Sequence, residues 1–186
     1  GAGGPSHAAI SFDLSERGIS PDNEKSEIAM GVADMANGNG GGHVESVIDG
    51  GRLLAVIVRA SFQCDGIEFF TPNDFSQQLG YMNRPEGYVI APHVHNPVLR
   101  EVSFTKEVLF IRSGRVRVDF YDDAQTYLES RVLHGGDVIL LAFGGHGFEM
   151  LERSEIIEVK QGPYAGEADK TRFSPVEQSY LKVFGK

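Results

Sequence analysis

The chain contains no tryptophan, one cysteine, no long apolar run and no excess of basic residues. With Cys64 alone, an intramolecular disulfide cannot form, and a buried, inert thiol in a reducing compartment is expected. The longest apolar stretches, residues 53–58 and 138–143, fall far short of the ~20 residues of a membrane helix. No positively charged stretch followed by an apolar core opens the sequence, so a cytoplasmic protein without a secretory leader is expected. Lysine and arginine are scattered and the formal net charge is −9, which argues against nucleic acid as a partner. A local basic pocket for a phosphate or carboxylate is compatible with that charge. The missing tryptophan excludes no fold.

What remains is an ordinary globular composition, 41% hydrophobic and 23% charged, on a one-domain length of 186 residues. A domain of about 150 residues buries roughly 68–70% of its unfolded surface, so it folds without a structural metal. Any metal would therefore serve function. Residues 1–43 differ in composition and read as an N-terminal arm. Within it Ile28, Val32 and Met35 suggest one short helical face over residues 24–35. The Gly-rich run 37–42 lacks a following Lys-Ser/Thr, so it is not a P-loop.

From Val44 onward the pattern is all-β. Strands are predicted over residues 53–58, 66–70, 88–95, 107–112, 115–121, 127–133, 138–142, 146–151 and 155–160, separated by turn residues. Ser113-Gly114 reads as a tight hairpin turn. After it, Val116, Val118 and Phe120 alternate with Arg115, Arg117 and Asp119, the pattern of a half-buried strand. Gly162-Pro163 ends the last strand. Residues 166–186 form a polar C-terminal tail, with Phe173, Tyr180 and Phe184 available for docking.

The chemistry-bearing residues begin with His93 and His95. On an extended strand, residues i and i+2 project from one face, so both imidazoles would enter one space. Glu107 is in phase with Leu109 and Ile111, and a carboxylate in phase with core aliphatics needs a partner, commonly a metal or an arginine. His146 is in phase with Phe148 and Met150. Glu101 and Glu149 sit out of phase with apolar faces and read as solvent-facing. Arg100 is either a solvated arginine or a clamp on a substrate phosphate or carboxylate. Glu158 and Lys160 alternate with Ile157 and Val159. Either the charges are exposed, or they face the interior, where Lys160 could donate and Glu158 accept a proton. His7, His43 and His134 read as solvated, and Tyr164 as a residue packing on the barrel end.

These residues resemble the cupin superfamily. Its first motif is a glycine, five residues, His-X-His, a short gap, a glutamate, six residues and a glycine. Gly87, His93, His95, Glu107 and Gly114 match it, with eleven residues between His95 and Glu107 rather than three or four. Glu101 is the alternative ligand; Glu107 alone keeps the glycine spacing and a hydrophobic strand behind it. The second motif is matched by Gly136, Gly144 and His146, with Ala142 and Met150 where proline and asparagine stand in the family. Residues 157–164 and Asp169-Lys170 are similar to a subgroup of small cupin metalloproteins found among bacterial polysaccharide and O-antigen genes.

The resemblance implies a cupin-type jelly-roll β-barrel over residues 44–165, with His93, His95, Glu107 and His146 holding one divalent transition metal. Nitrogen and oxygen ligands of this kind suit Fe, Mn, Ni or Zn. It further implies carbohydrate metabolism. The expected activity is a metal-dependent isomerase or epimerase on a sugar phosphate or nucleotide sugar. The alternatives are a non-haem iron dioxygenase and a non-catalytic, metal-dependent sugar-binding or sensor module. A homodimer is expected, because exposed edge strands need cover.

Overall fold

The computed structural model describes residues 42–163 and 165–185. The arm through residue 41, its helix at 24–35, and Tyr164 therefore lie outside the described residues. Eleven strands are seen: β1 (Val44–Asp49), β2 (Arg52–Val58), β3 (Gly66–Phe69), β4 (Gly80–Asn83), β5 (Glu107–Ser113), β6 (Arg115–Tyr121), β7 (Tyr127–His134), β8 (Val138–Leu141), β9 (Gly145–Met150), β10 (Glu155–Lys160) and β11 (Val183–Phe184). No described helix is long and apolar enough to cross a membrane.

The strands form a five-stranded sheet, β1-β2-β8-β5-β10, a four-stranded sheet, β11-β7-β6-β9, and the hairpin β3-β4. All ladders are antiparallel except β11 on β7. The period-2 pattern explains why two sheets must stack. Ala55, Ile57, Leu109, Ile111, Ile139 and Leu141 of the first sheet share one core cluster with Val116, Val118, Phe120 and Leu133 of the second. Full burial of each such aliphatic or aromatic side chain stabilises by about 1.5–3 kcal/mol. The opposite phase of β2, with Val56 and Val58, packs under Phe70, Phe62 and Tyr81 around the β3-β4 hairpin. β2 is thus buried on both faces, which explains its continuous apolar run.

Among the described residues no ladder joins the two sheets, so the sandwich is not a closed barrel. The edge strands are β1 and β10 of the first sheet and β11 and β9 of the second. Three expectations are corrected. The first concerns residues 88–95, which form no strand; the whole span from Arg84 to Lys106 is irregular. Pro92 and Pro97 bracket the His-X-His pair and cannot donate to a ladder. The second concerns Ser113-Gly114, which does not close a hairpin. It carries the chain from one sheet to the other, since β5 and β6 pair with different neighbours. Gly114 has φ 86°, and a Cβ there would meet the Arg153 carbonyl oxygen at 2.3 Å, so glycine is required at this corner.

The third concerns β6. Arg117 and Asp119, expected on a wet face, are only 9% and 3% exposed. Arg117 donates to both Asp119 oxygens at 2.7 and 3.0 Å, Ser130 Oγ donates to Asp119 at 2.5 Å, and the Tyr127 hydroxyl lies 2.8 Å from Ser130 Oγ. The C-terminal segment covers this polar chain. Val176 N–H donates to the Tyr121 hydroxyl at 3.0 Å, Lys182 N–H to the Tyr127 hydroxyl at 2.8 Å, and Phe173 meets the Tyr121 ring edge-on. The tail docks, as its aromatics suggest, and it hides charges that alternation alone places in water.

Candidate functional site

Glu107 opens β5 and is in phase with Leu109 and Ile111, so its carboxylate enters the space between the sheets. Register brings three more polar side chains to it. On β9, His146 is paired with Phe120, a core residue, and therefore points inward. On β10, Lys160 is paired with Glu107 and Glu158 with Leu109, so both share the inward face. Their alternates, Ile157 and Val159, are 52% and 57% exposed. On β10 the charges therefore take the phase of Glu107 and the aliphatics the outer one, although at this sheet edge Lys160 and Glu158 keep 29% and 45% of their side-chain surface exposed.

The distances bind these residues into one cluster. His146 Nε2 lies 3.2 Å from a Glu107 oxygen, Lys160 Nζ lies 3.6 Å from the other, and Glu158 holds the same ammonium at 2.9 Å. The Glu107 carboxyl is pushed below its ordinary range, first by the His146 hydrogen bond, with burial opposing and Lys160 and Lys170 assisting. It is therefore an ionised acceptor. Lys160 is pushed up, chiefly by Glu158, and stays protonated.

The cluster opens onto a cleft of about 710 Å³ that runs along β9. Phe104 and Phe143 line it on one side, and Asp169 and Lys170 of the C-terminal segment line it on another. Thr105 donates to Asp169 at 2.9 Å, which ties the 3₁₀ turn Gly166–Asp169 to the chain just before Glu107. At the rim, Arg52 stacks on Phe143 with its guanidinium 4.0 Å from the ring centroid and pairs with Asp123 at 2.5 Å.

His93 and His95 are placed differently. Both are exposed on the irregular span, with ring centroids 5.2 Å apart. His93 Nδ1 lies 3.0 Å from the Ala91 carbonyl oxygen, to which it donates. Among the described residues, no group of three or more His, Cys, Asp or Glu is arranged to hold a metal ion. The four expected ligands therefore lie as two pairs rather than as one site. The chemistry of each pair suits a metal. Ligand bonds of about 2.0–2.2 Å put adjacent donors about 3 Å apart, close to the Glu107–His146 separation, where an ion would replace the shared proton. The arrangement as a whole does not yet fit one ion.

Arg100 is exposed on the irregular span and does not line the cleft. Glu101 is likewise exposed. Glu149, expected in solvent, receives Arg117 at 2.6 Å. Cys64 is half-buried, with its thiol pushed up by burial and by Glu68. The cleft residues that sequence reasoning missed are Arg52, Phe143 and the Thr105–Asp169 link with Lys170. Only Asp169-Lys170 carries a signal, as the last part of the cupin resemblance. Compared with known proteins, the chain matches no family model, and no curated protein or solved structure matches it.

Proposed function

We propose that this chain is a cupin-type jelly roll in which Glu107 and His146 form half of a divalent-metal site, which His93 and His95, held apart from that pair in the structure, would complete. The site would act on a sugar derivative by isomerase or epimerase chemistry. One observation carries the reading: a carboxylate and an imidazole from different sheets meet at 3.2 Å on the inward faces of their strands. A partly buried carboxylate–imidazole pair at the mouth of a cleft is a candidate for binding. The match of Gly87, His93, His95, Glu107 and Gly114 to the cupin spacing supports the same ligand set.

A divalent Fe, Mn, Ni or Zn, if held by these residues, would supply a Lewis acid for a substrate oxygen. The chain's own groups would handle the proton. Lys160, kept protonated by Glu158, stabilises negative charge developing on the substrate, and the Glu158 carboxylate accepts or returns a proton. Phe104 and Phe143 give the cleft an apolar, aromatic lining. A homodimer belongs to the same proposal. The free edge of β10, with Ile157 and Val159 outward, is a surface that a second copy would cover.

The test is elemental analysis of anaerobically purified protein. His93→Ala with His95→Ala should remove bound metal while circular dichroism stays β-rich. Stoichiometric metal in the double variant would refute the ligand assignment.

A further inference from the structure

The span from Arg84 to Lys106 carries more apolar surface than a loop needs. Val89, Ile90, Val94, Val98 and Leu99 are between 54% and 99% exposed, and none of them joins either core cluster of the described residues. A contiguous apolar run of this kind marks a surface that something covers. A second uncovered feature lies on the first sheet. β10 is an edge strand, and its outer phase, Ile157 and Val159, lies beside Phe110 of β5, all three exposed.

Ladder phase shows how the two fit. Ile111 donates its N–H to Asp137, and its carbonyl accepts from Gly136, both at the β8 side. The inward phase of β5 therefore bonds toward β8, and the outer phase, with Val108 and Phe110, bonds toward β10. Opposite residues of an antiparallel ladder share a face, so Val159 and Ile157 take those bonds. The N–H and C=O groups of Glu158 and Lys160 are left on the free edge. A strand added there antiparallel must bond through residues whose side chains also point inward. For residues 90–95 one phase allows this, because Pro92 has no N–H to give. That phase bonds through Ala91, His93 and His95. It turns both imidazoles toward the Glu107 side of the sheet, and it adds Ile90 and Val94 to the outer row of Ile157 and Val159. Backbone donors, apolar cover and the missing ligands are all supplied by the same phase.

The chain's own span would have to cross the end of β10 to reach that edge. This corner is filled: Lys106 N–H donates to Gln161 at 2.6 Å, and Gln161 Nε2 donates to Gln77 at 3.1 Å. A second copy meets no such obstacle, and a two-fold pair covers both spans and both edges at once. We propose that the span around His93 and His95 docks on β10 of a second copy, so that each metal site joins Glu107 and His146 of one protomer to the partner subunit's His93 and His95. The proposal rests on the metal reading above, and it accounts for the ligands lying as two separate pairs within one chain.

Two variants of the full chain test it, His93→Ala with His95→Ala and Glu107→Gln with His146→Ala. Each lacks half of the site, and neither should hold zinc by elemental analysis. Co-expressed with different affinity tags and purified as a heterodimer, they should recover about one zinc ion per dimer, against about two in the wild-type dimer, because one complete site is rebuilt across the interface. A heterodimer as empty as its parents overturns the proposal. Val94→Asp gives a second readout. Val94 is 85% exposed, so circular dichroism should be unchanged, while sedimentation should show a wild-type dimer and a variant monomer without zinc. A Val94→Asp monomer or a wild-type monomer that holds stoichiometric zinc overturns the proposal and leaves the metal reading intact. A wild-type dimer that holds no zinc, yet separates in Val94→Asp, sinks the metal reading and leaves the docking of the span standing.

Discussion

Two polar clusters sit at opposite ends of strands β5 and β8, and they are built in opposite ways. At one end, Arg59 donates to Glu45 at 2.6 Å, to Asp137 at 2.8 Å and to the Val132 carbonyl at 2.8 Å. Asp137 also accepts from Ala60 N–H and His134 N–H, each at 2.9 Å, and Arg131 joins through Glu45 at 2.9 Å. Four strands and two turns are thereby stitched together, and both Asp137 oxygens are used. At the other end, Glu107 and His146 pair with each other and line a cleft, and Lys160 and Glu158 join them through Glu107. The first cluster is spent on the fold except for one buried nitrogen, Arg59 Nη2, which has no hydrogen-bond partner among the described residues. The second has binding capacity left over, and that capacity is what marks it as the functional end.

The largest effect should come from breaking the closed cluster. Asp137→Ala removes the acceptor of three hydrogen bonds at once and leaves Arg59 with only Glu45 and the Val132 carbonyl. Removing one partner of a buried pair costs about 3–5 kcal/mol, readable as a lower urea midpoint. Metal and ligand binding by the folded fraction should be unchanged, since Asp137 is remote from the cleft.

A change at the open cluster should invert that outcome. Glu107→Gln keeps a hydrogen bond to His146 but loses its charge assistance, a difference of about 1 kcal/mol. Metal binding should fall far more than stability does. The pH dependence gives a further check. The Glu107 carboxyl titrates lower in the folded protein than in the unfolded chain. Its contribution is therefore full above the ordinary carboxylate value and is lost as pH falls through the folded one. Urea midpoints between pH 3 and 6 should show a shallower acid-side decline in Glu107→Gln; an unchanged slope would remove this carboxylate from the account.

The smallest effect belongs to the rim. The Arg52–Asp123 pair is exposed, and such pairs contribute about 0–1 kcal/mol. Asp123→Asn should leave the midpoint nearly unchanged and insensitive to salt. A large loss would show that the cleft rim is as structural as the Arg59 cluster.

Much of this was legible in the residue pattern, for identifiable reasons. The all-β class followed from short alternating segments, and β6 presents Val116, Val118 and Phe120 to the core as alternation requires. Glu107 and His146 were found because each is in phase with apolar neighbours. Period-2 reasoning could not see that a tail segment would cover the other face of β6 and bury Arg117 with Asp119. Nor could it tell a hairpin from a sheet-crossing corner at Gly114, since both demand glycine. The phase of β10 was undecidable from sequence because aliphatics and charges alternate equally there; only its register with Glu107 settles it. At His93 and His95 the strand expectation failed where Pro92 and Pro97 interrupt the backbone donors. The exposed span around them includes Val94 at 85% and Leu99 at 99% exposure, so its apolar residues find no core in this arrangement.

Anomalous diffraction from crystals grown with a single divalent metal, collected on both sides of its absorption edge, puts the inward pair to the test most directly. The expected peak lies about 2.0–2.2 Å from a Glu107 oxygen and a His146 nitrogen, with His93 and His95 completing its shell. A lone peak at the exposed histidines, with the Glu107–His146 hydrogen bond intact and no density between those two side chains, would contradict the account.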